Sequence, residues 1–544
     1  QSISSDQGFD YKEYRQIVNN KDCKVIYDIR DTLKINVKKS SKILQRDHIK
    51  RKLDIVTNII QNKCSTDDIN IIEEIGEEPK KEIDVIESLC MVGVPIEIIS
   101  PDNKFTIKIK EKTTIKDING KCIDPESLVI ESSDEDSDLD KSVSGLNYIL
   151  SPKWTTLSIP AVLEIKYDDK DSNGIVDETS IKEDELVISY KAYTHNYVNL
   201  VTQIDKVNNV LTTQLNYFSK IGVSHRKPEG IGQANVYLNN PVITPHTTLV
   251  ELDNLDGSGY LRGNYVDIGI YWDKLIQSDN PPDRLKKDNL LFIYEPIDYG
   301  SKGYMGDTEE TDQGRRFDQA SSYFYLNEAA KFFIKRHNFI PKNAVRDELF
   351  DYTTSGGYHG DYRMSGPGPK VGQPNPFRQV RGNFHEYTHL VNIAINKLPY
   401  DTNDQFALVE FFAKYFEATF TGIPYDKYYY YEGTGIKDFS DYKEWTRSKH
   451  AGKDTAFVLA SVCWHIRETI GDEKTDNLVY RSMATIDYNT CASNALLKKM
   501  LESDDKLYNG ANKQTIRRIF REHEIEVDSC GSLGPDDGIW SVLS

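Results

Sequence analysis

The stretch Phe384-His385-Glu386-Tyr387-Thr388-His389-Leu390 decides how this chain is read. It holds two histidines four residues apart, with a glutamate beside the first. On a helix, residues at this spacing project from one face about a turn apart. Both imidazoles can then reach one zinc ion through a ring nitrogen. Glu386 lies next to the first of them, where a carboxylate can accept a proton from a zinc-held water. Three fixed positions in five also arise by accident in a long chain, so the flanking sequence has to support the reading.

A zinc that does chemistry needs three protein ligands and one open position. The third is expected on a following helix, and Ala407-Leu408-Val409-Glu410-Phe411-Phe412-Ala413-Lys414-Tyr415-Phe416-Glu417-Ala418 reads as one. Its apolar residues cover most of its surface, which implies burial. A carboxylate inside such a helix is costly without a counter-charge, and a zinc dication supplies one. Glu410 is the favoured ligand. Glu417, two turns further on the same face, is the rival, and a structural Glu paired with Arg or Lys is the bland alternative. A tetrahedral oxyanion also calls for a donor aimed at it. Tyr400, in the loop between the two helices, and His450, just before another apolar helix, are the candidates. His359 reads as a surface histidine.

Length and composition set the frame. A chain of 544 residues, 28% charged and 38% hydrophobic, suits three or four globular domains at roughly 150 residues each. The net charge of −18 argues against nucleic-acid binding and makes calcium a reasonable secondary expectation. No apolar run of about 18 residues is present, so no membrane span is expected. The chain starts at Gln1 without Met or a signal-like apolar stretch, which fits a mature secreted chain or a trimmed one. Seven cysteines are scattered with no C-x-x-C pair, which excludes a cysteine zinc ribbon. The odd count leaves at least one thiol without an intrachain partner.

The first half reads differently. Phe105-Thr106-Ile107-Lys108-Ile109-Lys110 alternates as a strand does, and Asp54–Gln61 looks helical. Ser132–Asp140 (SSDEDSDLD) is a like-charge block expected to stay solvated as a linker. Beyond it come β-type runs around Leu157–Ile165 and Leu186–Tyr190. Between them, Asp169, Asp171, Asn173 and Asp177, with Gly174 at the turn, match the first half of an EF-hand-type calcium loop. Its twelfth position is Ser180 where a bidentate Glu is expected, so a metal-free acidic turn competes with the calcium reading. Val198–Phe218 shows helical spacing, Leu252–Ile270 a glycine-punctuated hairpin, Asp318–Phe333 an aromatic core helix, and Ser355–Pro376 a Gly/Pro-rich loop.

With these residues in place, the segment from about Thr247 to Glu524 resembles the gluzincin zinc metallopeptidases, the group that includes thermolysin. GSGYLRGNYV (Gly257–Val266) and FDQASSYFYL (Phe317–Leu326) are similar to the fungalysin-type branch, and Glu410-Phe411-Phe412-Ala413 to the microbial collagenases. The resemblance implies a two-lobed domain with zinc between the lobes, His385, His389 and Glu410 as ligands, Glu386 as base and His450 as transition-state donor. One departure stands out. The fungalysin-type branch carries an Asp that orients the first His, and the matching position here is Lys414.

The expected architecture is multidomain α+β. Residues 1–131 form a mixed accessory domain, 132–144 an acidic linker and 145–240 a β-rich domain with the candidate calcium loop. A zincin (thermolysin-like) domain follows over 241–527, then a tail over 528–544. The expected function is a secreted or extracellular zinc endopeptidase acting on protein or peptide substrates, with Zn2+ and a candidate Ca2+. The alternatives are an inactive zincin scaffold in an extracellular binding or surface-assembly protein, and an aminopeptidase of the same group.

Overall fold

The computed structural model describes residues 90–523, except 272–284, 298–308, 351–356, 367–377, 397–402, 427–436, 441–452 and some shorter internal stretches. The chain divides into two compact units, 1–89 and 90–544, and the account below concerns the second. The expected helix at Asp54–Gln61 lies outside the described residues. Unit two is mixed α+β, β-rich in its first part and helical towards its C-terminus.

Two antiparallel sheets open it. The first runs in the order β1 (Ile96–Ile99), β2 (Phe105–Ile109), β6 (Thr156–Lys166), β10 (Val210–Tyr217), β9 (Gln203–Asp205), with β3 (Ile115–Lys116) also on β6. The second runs β4 (Val129–Ser132), β5 (Ser142–Ser151), β11 (Lys220–His225), β7 (Leu186–Tyr190), β8 (Val198–Asn199). Alternation buries Phe105, Ile107 and Ile109 on one face of β2, as period two demands. Their partners on β6 are Ile165 and Leu163. Phe105 meets Tyr148 of β5 at 4.8 Å between ring centroids, so side chains of both sheets share one core.

Strands on either side of residues 132–144 thus belong to the same two sheets. The acidic stretch is tied down as well. Asp138 pairs with Lys191 at 2.9 Å, and Lys335 donates to the Asp138 carbonyl at 2.6 Å.

Three expectations need correcting. Val198–Phe218 is not helical but strands β8, β9 and β10. Leu211, Thr213, Leu215 and Tyr217 are buried at period two, and the apolar Val207 that completed the helical spacing sits 92% exposed in the β9–β10 turn. Asn209 closes that turn at φ 55°, in the left-handed region Asn tolerates. Leu252–Ile270 is not a two-stranded hairpin: isolated antiparallel bridges Leu255–Gly263 and Arg262–Asp267 lie inside it, but β13 (Thr248–Leu252) pairs with β12 (Gly232–Val236), which also takes β15 (Leu291–Phe292) in parallel, whereas β14 (Val266–Tyr271) runs parallel to β16 (Val345–Phe350). The glycines there serve a close approach instead. A Cβ on Gly263 would fall 1.8 Å from the Asn254 carbonyl oxygen. Ser355–Pro376 is not wholly loop, because β17 (Gly357–His359) and β18 (Arg363–Gly366) lie within it and extend the β14–β16 sheet.

The helical part comprises α1 (Glu309–His337), α2 (Val380–Ile395), α3 (Asn403–Thr421), α4 (Lys453–Ile470), α5 (Asp472–Thr485), α6 (Ala492–Tyr508) and α7 (Lys513–Glu522). From Phe317 to Ala330 the side chains of α1 are buried all round, as in a helix at the centre of a fold. Phe332 and Phe333 of α1, Phe384 of α2 and Phe416 and Phe420 of α3 form one aromatic cluster, with Phe384 stacked on Phe420 at 4.3 Å. Cys90 and Cys122 form a disulfide and Cys491 is disulfide-bonded too, while Cys463 of α4 is a buried thiol.

An ion pair fixes the segment entering α2. Arg378 binds Asp318 of α1 at 2.7 Å and donates to the carbonyls of Pro296 and Ile297. Both members are almost fully buried. Removing one partner of such a pair strands the other charge, at a cost of about 3–5 kcal/mol. Arg378→Met is therefore expected to lower the chemical-denaturation stability by that amount, which a urea titration of the purified variant will show.

Candidate metal centre

The centre is built where α2 and α3 pack antiparallel. Arg381, His385 and His389 stand on α2 at i, i+4 and i+8 and form one stripe. Glu410, Lys414 and Glu417 form the facing stripe on α3. The antiparallel order sets Glu417 against Arg381 and His385, and Glu410 against His385 and His389. Aromatic and aliphatic side chains flank both stripes, so these polar groups meet in a desolvated setting.

The two Nε2 atoms of His385 and His389 lie 3.1 Å apart. One oxygen of Glu410 is 3.6 Å from His385 Nε2 and the other 3.5 Å from His389 Nε2. Tetrahedral zinc with bonds of ~2.0–2.1 Å sets its ligand atoms ~3.3 Å apart. The two ring nitrogens lie near that value, and one Glu410 oxygen stands close to each ring, so a small shift of the carboxylate brings a single oxygen to both and the donor set suits zinc. His385, His389 and Glu410 are accordingly one of two groups among the described residues that could hold a metal ion.

The rival ligand Glu417 is placed differently. Its Oε2 lies 3.0 Å from His385 Nδ1, the ring nitrogen turned away from Glu410, and its Oε1 accepts from Arg381 Nη2 at 3.0 Å. Lys414, the departure noted in the sequence, lies 3.9 Å from Glu417 Oε1. Its ammonium sits 4.7 Å over the Phe457 ring of α4. Arg381 escaped the sequence reading. The signal for it was its position one turn before His385 on the same helix face.

The charges follow from these contacts. Burial by itself would raise the Glu417 carboxyl, but Lys414, Arg381 and the His385 hydrogen bond outweigh it and hold it down to about 2. Burial likewise opposes ionisation of Glu410, and the two imidazoles overcome it, leaving Glu410 far below the usual carboxylate range. For His385, desolvation pulls downward, and the Glu417 hydrogen bond together with the two carboxylate charges turns the balance upward. Each ligand is held in this arrangement by groups a cation would complement or replace.

Glu386 follows His385 on α2 and is half-buried, with its carboxylate in no hydrogen bond or ion pair among the described residues. Tyr400 and His450 lie outside the described residues. His359 falls on β17, and its side chain lies outside them too.

The second group that could hold a metal is Asp169, Asp171 and Asp177, whose carboxylate oxygens come within 4.8 Å of one another. Asn173 lies in the same turn. Its Oδ1 accepts from Ile175 N at 2.8 Å and its amide donates to Asp171 at 2.8 Å. Gly174 turns the loop at φ 77°.

No protein-family model matches the chain, and a search of curated proteins finds no match. The reading of this centre rests on its own residues. Stoichiometric zinc is expected to raise the thermal midpoint of metal-stripped protein. A ligand at 1,000 times its Kd stabilises by about 4 kcal/mol. Glu410→Ala, losing one of three ligands, should lose most of that increment, which differential scanning calorimetry with and without zinc will measure.

Proposed function

We propose that this protein is a zinc-dependent peptidase of the zincin type, cleaving protein or peptide substrates at the centre between α2 and α3. The observation that carries it is the convergence of His385 Nε2, His389 Nε2 and the Glu410 carboxylate, one atom from each lying within 4.8 Å of the others. Glu386, which zinc binding alone does not require, stands beside the first ligand with its carboxylate uncommitted among the described residues.

Zinc, when bound, would polarise the scissile carbonyl and acidify water. The roles of the chain's own residues follow from position. His385 and His389 offer Nε2 atoms from one helix face, and Glu410 offers an anionic oxygen from the next helix. The Glu386 carboxylate takes the proton from the attacking water and delivers it to the leaving amine. Stabilisation of the oxyanion is assigned to His450, as the gluzincin resemblance implies, or to Tyr400, from its place between the two ligand helices. A secreted or cell-surface location is supported by the disulfide-bonded Cys90, Cys122 and Cys491, since such bonds persist in oxidising compartments.

Hydrolysis of casein or gelatin by the zinc-loaded protein tests the reading. Glu386→Gln should keep its zinc and lose at least about 100-fold in kcat, the scale of a general base. Equal activity in the two proteins would end the assignment of Glu386. Zinc in both with activity in neither would leave the inactive-scaffold reading in its place.

We further propose that the Asp169 loop takes calcium as a structural ion, with Asp169, Asp171 and Asp177 as ligands. Millimolar calcium should raise the thermal midpoint of the wild type and leave that of Asp171→Asn little changed. Equal shifts in the two would remove the site.

A further inference from the structure

The position that holds an Asp in the related branch is Lys414 here, which poses a physical problem. A ligating imidazole needs its second ring nitrogen held by an acceptor, because that contact fixes the tautomer and the plane of the ring. A lysine on the same turn cannot accept a hydrogen bond. The contact must come from elsewhere.

Glu417 meets the requirement from two turns beyond Glu410. Its Oε2 stands 3.0 Å from His385 Nδ1, on the side of the ring opposite the Nε2 that faces Glu410. The carboxylate is 5% exposed, and its other oxygen is held by Arg381 at 3.0 Å. Lys414 Nζ lies 3.9 Å from that oxygen and 4.7 Å over the centre of the Phe457 ring. The Arg381 guanidinium also donates to the Ile423 carbonyl at 3.3 Å. Glu417 is therefore gripped from both helices, and the position of Oε2 is fixed independently of any ion.

We infer that Glu417 is the positioning residue for His385: it accepts from Nδ1–H, presents Nε2 to the metal, and is itself held by Arg381 and Lys414. Lys414 then belongs to the design of the site, as one of two cations needed to keep a carboxylate in an apolar helix pair. The inference rests on the metal reading above. A bare counter-ion role for Glu417, neutralising Arg381 and Lys414 with no effect on the ring, is the competing account.

The test uses the full chain and zinc itself, in competition with a chromophoric chelator. Two variants break the contact differently. Glu417→Asp keeps the charge and retracts the oxygen. The double variant Arg381→Met with Glu417→Met removes carboxylate and guanidinium together, so that neither of these two is left without the other. Arg381→Met alone leaves Glu417 with Lys414 and His385. Loss of such a contact lowers metal affinity by roughly 10–100-fold; that loss is expected in both Glu417 variants, and a smaller one in Arg381→Met, which loosens the grip on Glu417 without removing its oxygen from His385. The kcat should fall with KM little changed. In cobalt-substituted protein, the slowly exchanging Nδ1–H resonance of His385 should be present in wild type and Arg381→Met and absent from the Glu417 variants. Wild-type zinc affinity in folded Glu417→Asp, with the Nδ1–H resonance retained, would overturn the inference while leaving the metal reading intact. A wild type that binds no zinc would instead defeat the metal reading itself.

Discussion

The structure depends on one constraint: the polar stripes of α2 and α3 must meet in register inside an apolar helix pair. Burying an unpaired charge is costly, and here five ionisable groups and a lysine lie along a single seam. The antiparallel order makes this tolerable, because Arg381 and His385 face Glu417 while His385 and His389 face Glu410. A slip of one helical turn would set Arg381 beyond Glu417 and leave buried carboxylates facing apolar groups. The stacked rings of Phe384 and Phe420 oppose such a slip by packing. Specific aromatic packing and charge pairing therefore select the same register.

The β-rich half takes part in holding this seam. Tyr193, following β7, stacks on Phe420 of α3 at 4.3 Å, and Thr194 N donates to the Phe420 carbonyl. Gly422, at φ +68°, lies so near Thr194 that a Cβ there would come within 2.6 Å of the hydroxyl. Asn196 donates to the carbonyl and carboxylate of Glu328 on α1. The two sheets are thus fastened to α3, which carries Glu410 and Glu417, and to α1, which packs on α2 and α3 through Phe332 and Phe333. Behind α3, Tyr415 donates to the buried Asp476 of α5 at 2.7 Å, which fixes the far face of the same helix.

Much of the centre was legible one residue at a time. His385 and His389 follow from the four-residue spacing, and Glu410 from the cost of a carboxylate in an apolar helix. The strand at Phe105–Ile109 follows from alternation alone. What misled was periodicity without context. Val198–Phe218 carries apolar residues at both helical and strand spacings, and the Asn208-Asn209 turn with an exposed Val207 resolves them into strands. Leu252–Ile270 has hairpin punctuation, yet its two strands join different sheets: β13 pairs back to the preceding strand β12, and β14 with β16, which lies far away in sequence.

By itself, the sequence determined which groups can bind a divalent cation and that two of them share a helix face, since those facts need only local geometry. It also carried the puzzle of Lys414, a cation where a carboxylate was expected. Only the tertiary structure decided what Glu417 does. Spacing makes Glu417 a plausible ligand equally with Glu410, because both lie on one face of α3. Which ring nitrogen each carboxylate meets is set by how α3 crosses α2, and that crossing is fixed by aromatic packing contributed from α1 and the β-sandwich, too distant along the chain for any local pattern to encode.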